Sequence, residues 1–414
     1  MSSGSKKEVS GRGSEPALHI AFYSPALPAS GASNGIVTYS RIMSEALRAL
    51  GHSVTIVTGE QIQHADGRIL PLSQATGIGG RVRWSLEALH GQDGTHVSAR
   101  VRVIDAFRAA RCAGAQLFEI EESFGWARRL AGRGIPIVER LHGPHVFVKD
   151  EFQTPAQARQ SAFRERAEQA AFATVDAVTS PTERLLRELV RLYGSQPPVA
   201  RAIPNPIAVV PPAARWRLED ADQDQILFVG RFDRCKGADI AILAFAAALK
   251  RRPSLKLIIA GPDIGLTEAA GRVVHFEDFV TGAVPPDARS RIRFLGLQQP
   301  GQITELRLRS AFAVVASRFE NFPYSIAEAM AVGMPVLSSG TFGGAEMIRD
   351  GLDGCVVPVG DVDAMAGAML TMASNPDRLT HMGERAYARA ADWLSPDRIA
   401  RETVDLYRAV LARH

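Results

Sequence analysis

The sequence Ile-Leu-Phe-Val-Gly-Arg-Phe-Asp-Arg-Cys-Lys-Gly, from Ile226 to Gly237, decides the fold class. Its first five residues are typical of a buried strand, and the apolar stretch from Asp239 to Lys250 is typical of a helix. A strand-to-helix turn points backbone N–H groups and the positive end of the helix dipole at whatever lies above the sheet. Arg231 and Lys236 add two cations there, so we predict a site for an anion such as a diphosphate.

The same turn argues against two other kinds of phosphate site. Lys236 is followed by Gly237 and Ala238, whereas a Walker loop has Ser or Thr after its lysine. No strand-like run is followed by Gly-x-Gly-x-x-Gly, which argues against a nicotinamide cofactor. Taken alone, Arg231 and Lys236 are equally well explained as surface charges.

Strand-like runs alternate with helical patterns along the chain, which predicts parallel sheets covered by helices. The predicted strands are His19–Ser24, Ser53–Gly59, Gln116–Glu121, Pro136–Leu141, Asp176–Thr179, Ile226–Gly230, Leu255–Ala260, Ile292–Leu295, Ala313–Ala316, Val336–Ser339 and Cys355–Val357. A proline-rich stretch after Ile203 and a polar run from Glu219 to Gln225 interrupt the series and predict a linker. The fold class is therefore α/β, with two Rossmann-like domains of similar size and a ligand cleft between them.

Composition excludes several classes of function. The 414 residues carry 48 Lys and Arg against 44 Asp and Glu, a net charge of +4 with no basic block, so we expect no nucleic-acid partner. The longest apolar stretch, Ala238 to Leu249, is short of the ~20 residues that span a bilayer. Residues 1–16 lack the apolar segment of a secretory signal, so we expect a disordered tail and a cytoplasmic protein. Three widely spaced cysteines fit neither a disulfide framework nor a zinc site.

A second motif runs from Ser317 to Pro335. Pro323 suits the first turn of a helix and Gly333 the residue after its last, which leaves Glu320 in the loop above the sheet. Glu328 would lie ~7–8 Å along the helix axis, so the two acids could hold two groups of one long ligand. The alternative is that Glu320 is solvated and Glu328 pairs with a neighbouring base.

Two Asp-x-Asp pairs have the spacing of metal-dependent transferases. Asp220 and Asp222 lie in the predicted linker, and Asp361, two residues before Asp363, suits a helix N-cap. We therefore predict no metal site.

These motifs together resemble the retaining glycosyltransferases of family four. The resemblance rests on Gly-Arg-x5-Gly at 230–237, the two glutamates with seven residues between them at 320 and 328, Ala-Met-Ala-x-Gly-x-Pro-Val at 329–336 and Asp-Gly-x-x-Gly at 350–354. The first half matches more loosely. There, Asn34-Gly35 is similar to the family's glycine-rich donor loop, Leu141-His142-Gly143 to its strand-end histidine, and Ile203-Pro-Asn-Pro206 to its hinge.

The resemblance implies a GT-B architecture, in which the sheets of two domains face each other across a cleft. Residues 17–203 would bind the acceptor and residues 204–390 the nucleotide-sugar. The helix at 391–414 would pack back on the first domain.

The resemblance also implies a role for each site residue. The catalytic set would be His142 beside the transferred sugar, Arg231 and Lys236 on the diphosphate, and Glu320 on a sugar hydroxyl. The donor would further be bound by Gly35, Gly230, the amides of Phe322, Tyr324 and Ser325, and Glu328 on the ribose.

The expected function is retaining, metal-independent transfer of a sugar to a hydroxyl acceptor in glycan, glycolipid or secondary-metabolite biosynthesis. The donor would be a nucleotide-diphosphate sugar, UDP- or GDP-linked, and the acceptor a glycan, a lipid-linked molecule or a small molecule, with no further cofactor. The alternatives are a GT-B sugar-nucleotide epimerase and a non-catalytic nucleotide-sugar-binding protein. The paired glutamates favour transfer over epimerisation.

Two segments depart from the family. Pro262 to Ser290 is irregular and predicts a loop at the rim of the cleft. Arg81 to Arg111 holds six arginines against three acids, which fits either a solvated helix face or a surface for an anionic lipid-linked acceptor. The second interpretation would add a peripheral contact with the inner face of the membrane. The sequence leaves the oligomeric state open.

Overall fold

A computed structural model of the chain describes residues 16–30, 34–72, 94–149, 154–268 and 271–414. Residues 1–15 of the predicted tail and residues 81–93 of the arginine-rich segment lie outside these ranges. Side chains are described throughout these ranges except at residues 94–101.

The first half of the chain alternates strands and helices around one sheet. Its elements are β1 (His19–Tyr23), α1 (Gly35–Ala49), β2 (Ser53–Val57), β3 (Gln61–Gln63), β4 (Ile69–Pro71), α2 (Gly94–Cys112), β5 (Leu117–Glu121), β6 (Ile137–Arg140), α3 (His145–Val148), α4 (Pro155–Phe172), β7 (Ala177–Ser180), α5 (Glu183–Tyr193) and β8 (Ala200–Ala202).

The second half repeats the pattern. Its elements are β9 (Asp222–Val229), β10 (Phe232–Asp233), α6 (Ala238–Leu249), β11 (Lys256–Ala260), β12 (Asp263–Thr267), β13 (Val273–Val274), α7 (Phe276–Ala283), α8 (Pro286–Arg289), β14 (Ile292–Phe294), α9 (Pro300–Leu308), β15 (Ser310–Val315), α10 (Tyr324–Val332), β16 (Val336–Ser339), α11 (Phe342–Met347), β17 (Cys355–Val357), α12 (Val362–Ala373), α13 (Pro376–Trp393) and α14 (Pro396–Leu411).

Two large sheets, beside a small one formed by β10, β12 and β13, confirm the predicted α/β class. The first has the strand order β4-β3-β2-β1-β5-β6-β7-β8 and is parallel except where β3 pairs antiparallel with β2 and β4. The second has the order β14-β11-β9-β15-β16-β17 and is parallel throughout. Buried side chains cover both sheets, which explains why the parallel strands are almost continuously apolar.

Helix α14 packs on the first domain, although it follows the second in sequence. It contacts α1, and its fully buried Tyr407 donates a hydrogen bond of 2.6 Å to the Glu119 carboxylate on β5. Glu119 also accepts a hydrogen bond of 2.8 Å from Tyr39 on α1. Helix α14 is thereby held against α1 and β5 of the first domain.

A buried arginine fixes the connection between the domains. Arg140, at the end of β6, donates from Nη2 to the carbonyl of Ile203 at 2.7 Å and to Oδ1 of Asn205 at 2.6 Å. Its guanidinium lies 4.8 Å from the centre of the Tyr39 ring. The Pro-rich connection therefore leaves the first domain from a fixed point.

Two sequence predictions are wrong in detail. Pro262 to Ser290 is not a simple loop, since it forms β12, β13, α7 and α8, and its Phe276 is buried against Phe232 and Phe294. The polar run Glu219–Gln225 is not linker throughout, since β9 begins at Asp222. Charges that suggested a linker are paired there, Asp222 with Lys256 at 2.6 Å and Asp224 with Arg252 at 2.7 Å.

Candidate functional site

Adjacent strands bring the two sequence motifs together. β9 and β15 are neighbours in the second sheet and run parallel, so the loops after them meet at the same edge. Lys236 in the first loop and Glu320 in the second form an ion pair through Nζ and Oε1. Burial lowers the pKa of Lys236, and the Glu320 charge and hydrogen bond more than offset this, so its pKa lies above the ordinary value and the ammonium stays charged.

Arg318 fastens the two loops to each other. Its guanidinium makes a double hydrogen bond to the Asp239 carboxylate on α6, at 2.7 and 2.9 Å, and a further one of 2.7 Å to the carbonyl of Arg234. Its backbone N–H donates to the carbonyl of Cys235 at 2.9 Å. Bidentate Arg–carboxylate pairs have a fixed geometry. The Arg318 contacts therefore help to set the distance between Lys236 and Glu320, together with the attraction between the two charges.

A glycine makes this close approach of the loops feasible. Gly237 has φ of 69°, the left-handed region, and a Cβ placed on it would lie 2.0 Å from the carbonyl oxygen of Ala316. A side chain at this position would therefore push the Lys236 loop away from β15.

Arg231 lies beside Lys236 and is half exposed. Its Nε donates to Oδ2 of Asp233 at 2.5 Å, and Oδ1 of Asp233 accepts the backbone N–H of Lys236 at 2.7 Å. Gly230 precedes it and donates its N–H to the carbonyl of Ala260 at 3.0 Å. Asp233 therefore holds the Arg231 guanidinium and the backbone of Lys236. It was given no role from the sequence, although an acid three residues before Lys236 is a local signal for one.

The start of α10 faces the same edge of the sheet. Pro323 is the N-cap rather than a residue of the first turn, and it supplies no side-chain cap. The N–H groups of Tyr324 and Ser325 begin the helix and have no partner within it, which is the arrangement that binds anions. Phe322 is buried beside them, its ring 5.9 Å from that of Tyr324.

Glu328 differs from the buried carboxylate that its apolar surroundings suggest. Its side chain is 39% exposed and is paired with Arg307, which is itself buried. This is the alternative interpretation of the sequence, in which Glu328 pairs with a neighbouring base. Glu320, in contrast, is mostly buried and not solvated.

His142 lies at the corresponding edge of the first sheet, after β6. Burial lowers its pKa to about 3, and the charge of Arg140 adds to the effect, so the imidazole is neutral. Its ring lies edge-on to Tyr39 at 5.3 Å. The backbone N–H groups of His142 and Gly143 donate to the two oxygens of Glu122 at 2.9 and 2.6 Å. His145 has a different environment, since its ring bonds the Ser161 hydroxyl at 2.9 Å.

Gly35 brings the start of α1 against the second domain. A Cβ at Gly35 would lie 3.5 Å from the Tyr324 ring, which is ordinary contact. Asn34 is the N-cap of α1, its side chain accepting the N–H of Ile36 at 2.8 Å. The loop that resembles a donor loop therefore lies next to the uncapped start of α10.

One residue of each Asp-x-Asp pair has a structural role. Asp361 caps α12 by accepting the N–H of Ala364 at 2.8 Å, and Asp222 pairs with Lys256. Within the described ranges, no three His, Cys, Asp or Glu side chains are grouped to hold a metal ion. In the same part of the chain, no helix has both the length and the apolar composition needed to cross a bilayer.

Two family models match the chain, one in each half. The model described as Glycosyltransferase Family 4 matches residues 33–209, and the model described as Glycosyl transferases group 1 matches residues 213–389.

Curated relatives are similar over most of the chain. The D-inositol 3-phosphate glycosyltransferase of Nocardia farcinica is 29% identical over 64% of this chain and 60% of its own length. The enzyme of the same name from Acidothermus cellulolyticus is 26% identical over 83% of this chain and 79% of its own length. The chain thus spans less than two thirds of the length of the Nocardia relative.

Solved structures share the fold. Sucrose-phosphate synthase from Thermosynechococcus elongatus superposes with a TM-score of 0.72 at 22% identity, covering 96% of this chain and all of that one. HepE from Anabaena, in complex with UDP-glucose, superposes with a TM-score of 0.62 at 16% identity, covering 95% of this chain and all of that one. Both likenesses support the two-domain α/β architecture.

Proposed function

Because the chain belongs to the glycosyltransferases, with the family 4 region in its first half and the group 1 region in its second, we propose that it transfers a sugar from a nucleotide-diphosphate sugar to a hydroxyl acceptor. The transfer retains the anomeric configuration of the sugar. The single observation that carries the proposal is the pair of cations, Arg231 and Lys236, beside the uncapped start of α10.

This arrangement suits a diphosphate. Arg231 is half exposed and can turn to a ligand, while Lys236 is held charged by Glu320. The N–H groups of Tyr324 and Ser325, which have no partner within α10, add neutral donors, and Gly35 lies against the Tyr324 ring from the opposite domain. Glu328, partly exposed and anchored by Arg307, is suited to accept hydrogen bonds from the ribose hydroxyls.

Catalysis follows from where charge develops. As the bond between the sugar C1 and the phosphate oxygen breaks, negative charge grows on the leaving diphosphate and positive charge on the sugar ring. Fixed cations and N–H dipoles therefore stabilise the transition state more than the bound donor. The acceptor oxygen forms its bond to C1 on the same face and its proton passes to the departing phosphate, so no side-chain nucleophile is needed.

Glu320 and neutral His142 take positions beside the sugar in this scheme. Donor binding would give Lys236 a second anionic partner, and the Glu320 carboxylate would then accept a sugar hydroxyl. A neutral imidazole can accept or donate a hydrogen bond without placing a positive charge next to a developing oxocarbenium ion.

We propose that Arg231 and Lys236 serve where other transferases use a metal ion.

The acceptor side is proposed to lie in the first domain, around His142. The two relatives are named for an inositol phosphate acceptor, and that name applies to those proteins. For this chain we propose a hydroxyl-bearing glycan, lipid-linked molecule or small molecule, and a cytoplasmic location with any membrane contact peripheral.

A donor panel tests the proposal. UDP-, GDP- and ADP-sugars are incubated with the protein, with and without cell extract as a source of acceptors, and free nucleotide diphosphate is measured. We expect acceptor-dependent release from one donor class. An epimerised donor without nucleotide release would instead support the epimerase alternative, and donor binding without any turnover would support a non-catalytic binding protein.

A further inference from the structure

Asn321 lies between two residues of the proposed donor site, Glu320 and Phe322, yet its side chain points into the other domain. The side chain is buried, with 1% of the residue exposed. Its Nδ2 donates to the carbonyl of Leu141 at 3.1 Å, and its Oδ1 accepts from the Thr182 hydroxyl at 2.6 Å. Because a carbonyl only accepts, the bond to Leu141 fixes which way the amide faces.

The carbonyl that Asn321 binds belongs to the residue just before His142. Leu141 donates its own N–H to Thr179 at 2.8 Å. The next two N–H groups, of His142 and Gly143, are bound by Glu122. The backbone of the His142 loop is thus held by its own domain on one side and by Asn321 on the other.

We call the bonds from Asn321 to Leu141 and Thr182 the bridge. Its donor side is equally fixed. The carbonyl of Glu320 accepts the N–H of Gly343 at 3.0 Å. A Cβ at Gly343 would lie 2.5 Å from the carbonyl oxygen of Asn321 and 2.4 Å from Cδ of Pro323, so the loop packs directly on α11. A displacement of Asn321 would therefore move Glu320 as well.

Two further contacts surround the bridge and close the interface around it. The carboxylate of Glu346 on α11 accepts the N–H groups of Glu183 and Arg184, at 3.0 and 3.1 Å, at the start of α5. Phe319 stacks on Phe147 of the first domain with ring centres 5.5 Å apart. These contacts contribute to adhesion between the domains, as do the bonds of Asn321, but in the described part of the interface only the Asn321 bond joins the residue next to Glu320 to the residue next to His142.

We propose that Asn321 is a positioning residue that sets Glu320 and His142 in register across the two domains. The inference rests on the proposed function, since it assigns both residues to one sugar. Its consequence is specific: without the bond, the donor still binds to the second domain, but the sugar is presented poorly to the first. Transfer should then fail at the chemical step and not at donor binding.

The test compares Asn321→Ala and Asn321→Asp with wild type. The aspartate keeps the size of the side chain but cannot donate to Leu141 while it is ionised. We expect kcat to fall at least about tenfold in both, with the donor KM and the Kd for UDP within about twofold of wild type. Thr182→Val, which removes the second bond, should lower kcat in the same direction, and the double variant should be less than additive.

Thr403→Val is the matched control. Its hydroxyl is buried like that of Thr182, but it bonds the carbonyl of Ile399 within α14. It should cost stability without altering kcat. The proposal is overturned if both Asn321 variants keep kcat within about twofold, or if donor affinity falls in proportion to kcat, which would make Asn321 a part of the donor loop only.

A second measurement separates this inference from the proposed function. Small-angle scattering of UDP-saturated protein reports the separation of the domains whether or not any sugar is transferred. We expect a larger radius of gyration for Asn321→Asp than for wild type. If wild type proves inactive while this difference is seen, the proposed function fails and the bridge stands; equal radii together with equal kcat would remove the bridge alone.

Discussion

Lys236 is the residue on which the proposed chemistry depends most. It is largely buried, charged and paired with Glu320, and it is held by a backbone bond to Asp233. A buried cation beside a single carboxylate is ready to accept a second anion, because its own desolvation is already offset.

Replacement of either member of the pair should therefore slow the reaction. We expect Lys236→Ala and Glu320→Ala each to lower turnover by well over tenfold, a loss of more than ~1.4 kcal/mol of transition-state stabilisation. Initial rates of nucleotide release measure this. Lys256→Ala is the control, since Lys256 pairs with Asp222 at the far end of the sheet and should leave the rate unchanged. Near wild-type rates in both site variants would mean that the donor binds elsewhere.

His142 gives a prediction on pH. With its pKa lowered by burial to about 3, the imidazole should stay neutral from pH 5 to 9. In the unfolded chain it titrates near the ordinary value of ~6.5, so its contribution to stability is complete above that pH and declines as the pH falls towards 3. NMR of the ring Cε1–H measures the pKa of His142, with the urea-unfolded protein as reference. A midpoint above pH 5 in the folded protein would contradict the burial described here.

At this scale the sequence predicts residues that are exceptional in their local context. Arg231, Lys236, Glu320 and Glu328 are noticeable because charge interrupts apolar or glycine-rich runs. Asn321 is not, because its role depends on partners that a local pattern does not reveal. The bond from Asn321 to Leu141 joins residues 180 positions apart.

At the scale of elements, the β9–α6 turn tolerates little change. Gly237→Ala should destabilise the fold by more than about 2 kcal/mol, because both the left-handed backbone and the carbonyl of Ala316 oppose a Cβ. Chemical denaturation measures the loss.

Gly367→Ala is the opposite case within the same domain. It lies inside α12 with open space around it, so the substitution should stabilise by about 0.5–1 kcal/mol. Equal changes in the free energy of unfolding for the two substitutions would show that the left-handed backbone at residue 237 does not require glycine.

Elements with strong end signals were predicted well. Gly333 ends α10 in the left-handed conformation and Asp361 caps α12, both as their residue types indicate. The elements between Pro262 and Ser290 were missed because they are short and carry no clear period. They form through contacts such as those of Phe276 with Phe232 and Phe294.

At the scale of the whole molecule, α14 and the Arg140 anchor determine how the two halves are joined. Tyr407 donates to buried Glu119 across 288 positions of sequence. A buried acceptor that loses its partner costs about 1–3 kcal/mol, so Tyr407→Phe should lower the free energy of unfolding by that amount.

Tyr193→Phe provides the comparison. The Tyr193 hydroxyl is buried without a hydrogen-bond partner among the described residues, so its removal should be neutral or stabilising. Thermal unfolding of both variants decides the point, and an equal loss in each would show that the Tyr407 bond contributes nothing.

The two large sheets could be predicted from alternating patterns, but these long-range hydrogen bonds could not, because periodicity carries no information on which distant residues meet.

Retention of configuration at the sugar C1 can be followed directly in a time course of anomeric proton signals by NMR, with an α-linked UDP-sugar and acceptor present. We predict that the donor signal gives way to an α-configured product signal as free UDP accumulates, and that Lys236→Ala slows both changes together. Retaining transfer by this chain would be ruled out by a β-configured product, by a new sugar epimer still attached to UDP, or by a donor signal unchanged with every acceptor and every nucleotide-sugar tried.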